Sequence, residues 1–182
     1  MSEQSGHLIV RAREARHAGR LEDAMRDLLQ AVDLCRRSHE ELKLAAALEA
    51  LGQIERDLHH PDAARRHYEE AAAIFAVEKY DLGVAHAIRH IADIHREAGN
   101  IEEAESSYDH ALWLYRDIQD TPPLDLANAI RGLAILKSDS AQSARARELW
   151  TEARDLYSKA NVTAGVDECS HRLKSLSNKS AT

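Results

Sequence analysis

The chain has 182 residues, of which 44% are hydrophobic and 30% are charged, and its formal net charge is −7. This much apolar material excludes a disordered chain, and the acidic balance argues against a general nucleic-acid binder, which needs a basic surface. Glycine and proline are scarce, at seven and three residues, so long helices are favoured over strands and loops.

Taken in chain order, four predicted helices share one pattern of small and large residues. They lie within residues 18–34, 59–75, 98–115 and 140–157. In each, an alanine is followed four positions later by a large residue, and three positions after that by a second alanine. The three columns are Ala24, Ala64, Ala104 and Ala146; Leu28, Tyr68, Tyr108 and Trp150; and Ala31, Ala71, Ala111 and Ala153. Successive copies are 40, 40 and 42 residues apart, which indicates an internal repeat.

A second helix is predicted before three of these segments. It has two large apolar residues three positions apart and a small residue directly after them, which places all three on one helical face. These triplets are Leu48, Leu51 and Gly52; Ile88, Ile91 and Ala92; and Ile130, Leu133 and Ala134. The small residue lets a neighbouring helix approach to about 8–10 Å. Each repeat is therefore predicted to be a helix pair, although Arg11 occupies an expected apolar position in the first repeat.

Start and stop signals indicate where the repeats begin and end. Pro61 suits a first helical turn, Gly99 suits a helix end, and residues 121–123 (Thr-Pro-Pro) suit a cap followed by a helix start. We predict repeats over about residues 5–40, 41–80, 81–120 and 121–160. A further amphipathic stretch at residues 162–176 is predicted to cap the last repeat, and residues 177–182 to form a disordered tail.

This order of residues resembles the tetratricopeptide repeat. The third copy matches best, with Ile88, Ile91, Ala92, Gly99, Ala104, Tyr108 and Ala111. His59 and Ala141 replace the turn glycine in the second and fourth copies. The usual unit has about 34 residues, so the longer spacing implies longer helices. The resemblance covers about residues 5–160 and implies one all-α domain over residues 1–176, a right-handed α-solenoid of about four helix-turn-helix repeats with a C-terminal capping helix.

The resemblance also implies that the first helix of each pair lines a concave groove. Its inner positions correspond here to Arg13, Arg16, Glu49, Gln53, Arg56, His86, Arg89, His90, Asp93, Arg96, Asn128, Arg131 and Ile135. Six of these are arginines and only two are acidic. We therefore expect an extended or helical peptide ligand with acidic residues or a free C-terminus, because guanidinium groups bind carboxylates in a forked geometry. Ion pairing within the groove, as between Arg89 and Asp93, is the alternative explanation of these charges.

Catalytic and metal-binding chemistry is predicted to be absent. The family's best-known binding mode is a carboxylate clamp, in which a fixed set of Lys, Asn and Arg holds the C-termini of chaperones. This set is not found at the matching positions, so the sequence does not predict chaperone binding. His86 and His90 are four residues apart and could both reach one metal ion, but polar groove residues are the favoured interpretation. No nucleophile–base set and no glycine-rich phosphate loop can be assembled from the sequence. We therefore predict no enzyme activity, no cofactor and no metal.

The sequence as a whole predicts a scaffold that binds a protein or a peptide. One alternative is a self-associating structural module, for which Trp113 offers a contact patch, and another is a regulatory repeat protein gated by its ligand. Cys35 and Cys169 are too few for a disulfide framework, and neither a signal-like start nor an apolar stretch of about 20 residues is found. We expect a cytoplasmic protein with no membrane span and no nucleic-acid partner.

Overall fold

The computed structural model describes the backbone of residues 2–179 and the side chains of residues 3–178. This part of the chain contains nine helices and no strand, which confirms the predicted all-α class. The helices are α1 (Ser2–His17), α2 (Leu21–Ser38), α3 (Glu41–Asp57), α4 (Pro61–Val77), α5 (Asp81–Glu97), α6 (Ile101–Asp117), α7 (Pro123–Asp139), α8 (Ser143–Lys159) and α9 (Thr163–Lys179). None of the described helices is long and apolar enough to cross a membrane.

Packing divides the helices into two compact units, the first ending at Ile91 and the second beginning at Ala92. The first unit contains α1 to α4 and the greater part of α5. The second contains the end of α5 and helices α6 to α9. In both units most of the small and large residues of the predicted columns are buried, whereas Ile88 and Ile91 are half-buried.

The core of the first unit depends on close contact between α3 and α4. Tyr68 is fully buried, and a Cβ atom added at Gly52 would lie only 2.8 Å from Cζ of its ring. A side chain at position 52 would therefore require the Tyr68 ring to shift. Leu28, Leu48 and Leu51 are buried in the same core.

The first hairpin departs from the apolar pattern at Arg11. This side chain does not enter the core: it is 62% exposed and pairs with Asp27, of which only 6% is exposed. Both oxygens of Asp27 accept hydrogen bonds from the guanidinium group. These bonds lower the pKa of Asp27, so its carboxylate stays charged although it is buried.

Two buried aromatic residues of the second unit, Tyr108 and Trp150, have polar ends that are hydrogen-bonded. The hydroxyl group of Tyr108 donates to Oδ1 of Asp93 at 2.6 Å, and Nε1 of Trp150 donates to Oγ of Ser138 at 3.0 Å. A Cβ atom added at Gly132 would lie 2.5 Å from the Tyr108 hydroxyl oxygen. The glycine is therefore required for α7 to approach α6.

Short linkers explain the spacing of the repeats. Helices of 17 residues separated by three-residue linkers give a step of 40, as between α4 and α6. The linker between α6 and α7 is longer and covers residues 118–122, which produces the step of 42. Gly19 and Gly99 end helices with positive φ angles of 73° and 78°, whereas His59 and Ala141 adopt similar angles of 61° and 57° without being glycine.

Helix α9 follows the fourth pair. It begins at Thr163, within one residue of the predicted start, and continues to Lys179. It therefore extends three residues into the predicted tail, and residues 180–182 lie outside the described part of the chain. Cys169 and Leu176 are buried, as expected for a helix that covers an apolar face.

Candidate functional site

A cavity of about 350 Å³ lies between α1, α3 and α5 in the first unit. Small and apolar residues such as Ala12, Leu28 and Ala50 form part of its lining. Seven of the predicted groove residues also line it, namely Arg13, Arg16, Glu49, Gln53, His86, Arg89 and His90. Its lining comes mainly from α1, α3 and α5, which are the first helices of three successive pairs. The cavity is called the first-unit groove below.

The charge of the first-unit groove is predominantly positive. Arg13, Arg16 and Arg89 line it, and Glu49 is the only acidic residue among the described residues that do so. Arg16 is paired with Asp57, since its Nε lies 2.6 Å from Oδ2. Arg13 is exposed and forms no ion pair or hydrogen bond with the described residues. Its guanidinium group is therefore available to a ligand without breaking an existing contact.

His90 is the most deeply buried polar residue of the first-unit groove. Its ring stacks on Tyr68 with 4.7 Å between the ring centroids and 10° between the planes. Nη1 of Arg56 lies 3.2 Å from Nδ1, and Nη2 of Arg89 lies 2.8 Å from Nε2. Burial lowers the pKa of His90 well below its ordinary value, and Arg89, Arg56, His86 and Arg16 lower it further.

The low pKa of His90 determines what its ring can do. A neutral imidazole has one donor and one acceptor nitrogen, so the ring accepts a hydrogen bond from only one of the two guanidinium groups. Because both nitrogens face arginines, His90 is better suited to separating Arg56 and Arg89 than to binding a metal. Among residues 3–178 no group of three His, Cys, Asp or Glu side chains is placed to hold a metal ion.

Glu49 lies in the middle of the first-unit groove. Its Oε1 atom is 3.7 Å from Nδ1 of His86, which is longer than a hydrogen bond. Oε1 is buried and accepts no hydrogen bond from the described residues. An acceptor without a donor is thus present among the positive charges.

The remaining predicted site residues belong to the second unit and have partners there. The Tyr108 hydroxyl donates to Asp93 and accepts from Nε of Arg96 at 3.2 Å. Oδ1 of Asn128 accepts from the Tyr157 hydroxyl at 2.8 Å. Arg131 makes a forked pair with Glu168, with distances of 2.7 and 2.9 Å. This pairing raises the pKa of Arg131, which remains a cation but is already bound to a carboxylate.

Sequence reasoning did not identify all the residues that form the groove. His17 lines it at the end of α1, directly after Arg16, and was not predicted. Its position one helical turn beyond Arg13 is the signal that could have identified it. The partners of the predicted arginines, Asp57 and Glu168, were also not predicted, because they lie 41 and 37 residues away along the chain.

Comparison by sequence finds no matching protein family and no matching curated protein. Solved structures do match. BtubC (BKLC) from P. vanneervenii is 18% identical, with a TM-score of 0.76 over 86% of this chain, which spans 64% of that protein. The nearly identical TPR-like repeats of a Podosopora anserina protein named as a kinesin light chain are 15% identical, with a TM-score of 0.68 over 99% of both chains.

The chain has a tetratricopeptide-like fold. Identities of 18% and 15% establish this TPR-like fold and nothing about ligands, since functional sites change independently of folds. The resemblance read from the repeat columns is thereby confirmed at the level of fold.

Proposed function

We propose that this chain is a binding module for a protein or peptide segment, and that the first-unit groove receives that segment. The observation that supports the proposal most directly is the cavity of about 350 Å³ between α1, α3 and α5. Its lining combines a small apolar floor with charged and polar side chains, a combination that is typical of ligand sites. The proposed role of the groove is to hold a partner and not to catalyse a reaction.

The preferred segment contains acidic residues. Three arginines line the first-unit groove of a chain whose net charge is −7, so the local charge is opposite to that of the whole molecule. A carboxylate can approach Arg13 without displacing a partner, and the field of the groove attracts it from a distance. Arg56 and Arg89, held on either side of His90, add positive charge to the same wall.

A salt series tests the proposal. The probe is a capped octapeptide of alternating glutamate and alanine with a fluorescent label, and its binding is followed by anisotropy. We expect the affinity to fall as ionic strength rises, since the charges are partly exposed to solvent. Replacing Arg13→Ala should weaken binding about threefold to tenfold, as expected for one charge-assisted contact.

Arg37→Ala is the matched control for Arg13→Ala. Arg37 is also an exposed arginine of the first unit, but it pairs with Asp33 on α2, outside the groove lining. Its replacement should leave the affinity unchanged. Equal effects of the two replacements, or binding that is indifferent to salt, would count against the groove.

Self-association is a second candidate function, because Trp113 on α6 is 64% exposed. Large aromatic side chains are enriched at protein interfaces, and the ring of His110 lies 6.4 Å from that of Trp113. Light scattering over a range of concentrations, for the original chain and for Trp113→Lys, tests this alternative. A monomer at every concentration removes it.

A further inference from the structure

A second cavity, of about 500 Å³, lies between α8 and α9 in the second unit. Three of its lining side chains are cations, namely Arg147 and Arg154 on α8 and Lys174 on α9. No acidic residue is among the described residues that line it, although the chain as a whole has a net charge of −7. The cavity is called the second-unit pocket below. It concentrates positive charge at a place that the proposed function does not use.

None of the three cations is buried, but they differ in how far they are already engaged. Lys174 is exposed and forms no ion pair or hydrogen bond with the described residues. Arg154 is half-buried, and its Nη2 atom makes a long contact of 3.3 Å with the exposed carboxylate of Asp155. Arg147 is half-buried, and its Nη1 atom bonds to a neutral acceptor, Oγ of Ser177, at 3.0 Å. A ligand can therefore reach Lys174 and Arg154 directly, and Arg147 adds charge beside them.

The preceding pair of the same unit, α6 and α7, has a carboxylate where the last pair has a guanidinium group. In that pair Lys137 is bound to Glu105. The residues at the same repeat positions in the last pair are Ser177 and Arg147, which also contact each other. The contact between the two helices is thus kept, but the negative charge is not. A positive charge without a lining carboxylate is therefore specific to the last pair.

Two buried apolar positions of the preceding pair also carry cations in the last pair. Lys174 and Arg154 come 40 and 42 residues after Ala134 and Leu112, and both of these earlier residues are buried. A cation gains nothing from burial, so packing does not explain the residue types in the pocket. A face that serves only solubility mixes charges of both signs, whereas the lining of this pocket has one sign. The arrangement is therefore that of an anion site.

We propose that the second-unit pocket binds the phosphate group of a phosphorylated side chain in a peptide segment. The three positive charges, less the negative charge of the neighbouring Asp155, leave a charge of two to be balanced. A phosphate monoester carries a charge of about −1.5 to −2 at neutral pH and offers three acceptor oxygens, whereas a carboxylate carries a single charge. Guanidinium groups bind phosphate in a forked geometry, and an ammonium group binds it as a point charge.

The size and charge of the chain favour a peptide as the source of the phosphate. The pocket is larger than a phosphate group, which leaves room for the residues that flank a phosphorylated side chain. A membrane surface or a nucleic acid presents many negative charges and requires a wide basic face, which a chain of net charge −7 does not favour. Recognition of phosphorylated segments by clusters of arginine is a recurring mode of peptide binding.

Binding of three labelled and capped octapeptides tests the inference. Each consists of alanine and glycine around one central residue, which is phosphoserine, glutamate or serine, and binding is followed by fluorescence anisotropy. We expect the phosphoserine peptide to bind at least about tenfold more tightly than the serine peptide, with the glutamate peptide between them, because the phosphate brings more charge and more acceptors.

Variants of the pocket connect this binding to its lining. Lys174→Ala and Arg154→Ala should each weaken binding of the phosphoserine peptide about threefold to tenfold, and Lys174→Arg should keep it, since the charge remains. Lys159→Ala and Arg145→Ala are the matched controls, because both residues are exposed cations of α8 that do not line the pocket. They should leave the affinity unchanged. Circular dichroism checks that each variant keeps its helices.

The possible outcomes separate this inference from its alternatives. Equal affinities for the phosphoserine and glutamate peptides would refute a phosphate site, and equal losses in the pocket and control variants would refute the pocket. Stronger binding to vesicles of phosphatidylserine and phosphatidylcholine than to the peptide, lost in the same variants, would also overturn it, since the partner would then be a membrane surface. Arg13→Ala should leave phosphoserine binding unchanged, so the inference and the proposed function can fail separately.

Discussion

Tyr68 in α4 and Tyr108 in α6 occupy the same position of successive second helices, yet their hydroxyl groups differ. Both rings are fully buried. The Tyr108 hydroxyl donates to Asp93 and accepts from Arg96, whereas the Tyr68 oxygen has no hydrogen bond of ordinary geometry and only the Arg56 guanidinium group acts on it as a donor. At the positions of Asp93 and Arg96 the second repeat has Gln53 and Arg56.

The predicted inner side chains of the two units also differ in their hydrogen-bond partners. In the second unit, Asp93, Arg96, Asn128 and Arg131 all bond to side chains of that unit. In the first unit, Glu49 has an unsatisfied oxygen and Arg13 has no partner among the described residues. A count of arginines along the sequence therefore includes guanidinium groups that are already paired, such as that of Arg131.

Removing the two hydroxyl groups should give the largest contrast between the units. Tyr108→Phe should reduce the free energy of unfolding by about 2 kcal/mol, because it leaves Asp93 and Arg96 without their shared partner. Tyr68→Phe should be close to neutral, since the buried oxygen that it removes has no hydrogen bond of ordinary geometry. Urea denaturation of both variants and the original chain measures the difference, and equal losses would contradict the comparison.

The sequence predicts that both tyrosines are buried but not which of their hydroxyl groups is hydrogen-bonded. The columns that contain Tyr68 and Tyr108 follow from helical periodicity, and both residues are buried as a core column requires. Whether a hydroxyl is satisfied depends on the rotamers of residues 12 to 15 positions away, such as Arg96 and Asp93, which periodicity does not determine. The pairing of Arg131 with Glu168 escaped prediction for the same reason.

Adding a methyl group at the glycines that face these tyrosines tests whether the two rings differ in their freedom to move. A Cβ atom at Gly132 would lie 2.5 Å from the Tyr108 hydroxyl oxygen, and one at Gly52 would lie 2.8 Å from Cζ of Tyr68. The Tyr108 ring cannot move without losing its hydrogen bonds. Overpacking costs about 1–3 kcal/mol, and the better helix propensity of alanine offsets about 1 kcal/mol of it.

We therefore expect Gly132→Ala to lose about 1 kcal/mol of unfolding free energy and Gly52→Ala to lose little. Thermal unfolding followed by circular dichroism measures both. Combining Gly132→Ala with Tyr108→Phe tests the cause, because the smaller ring should relieve part of the contact. A larger loss for Gly52→Ala than for Gly132→Ala would show that the Tyr68 ring is not free to adjust.

Substitutions in the linkers should change stability only slightly. They test whether the two units also differ in their turns. Ala141 in the second unit and His59 in the first both end helices at positive φ, 57° and 61°, where a side chain is strained. Replacing either by glycine should raise the free energy of unfolding by about 0.5 kcal/mol, since the relief of strain exceeds the entropy that glycine adds to the unfolded chain.

Gly99→Ala is the reverse control: φ is 78° and no atom lies within 4 Å of an added Cβ, so its loss would be conformational alone. Differential scanning calorimetry measures these changes in stability. If only one of the two glycine variants is more stable than the original chain, the two units differ in their turns as well.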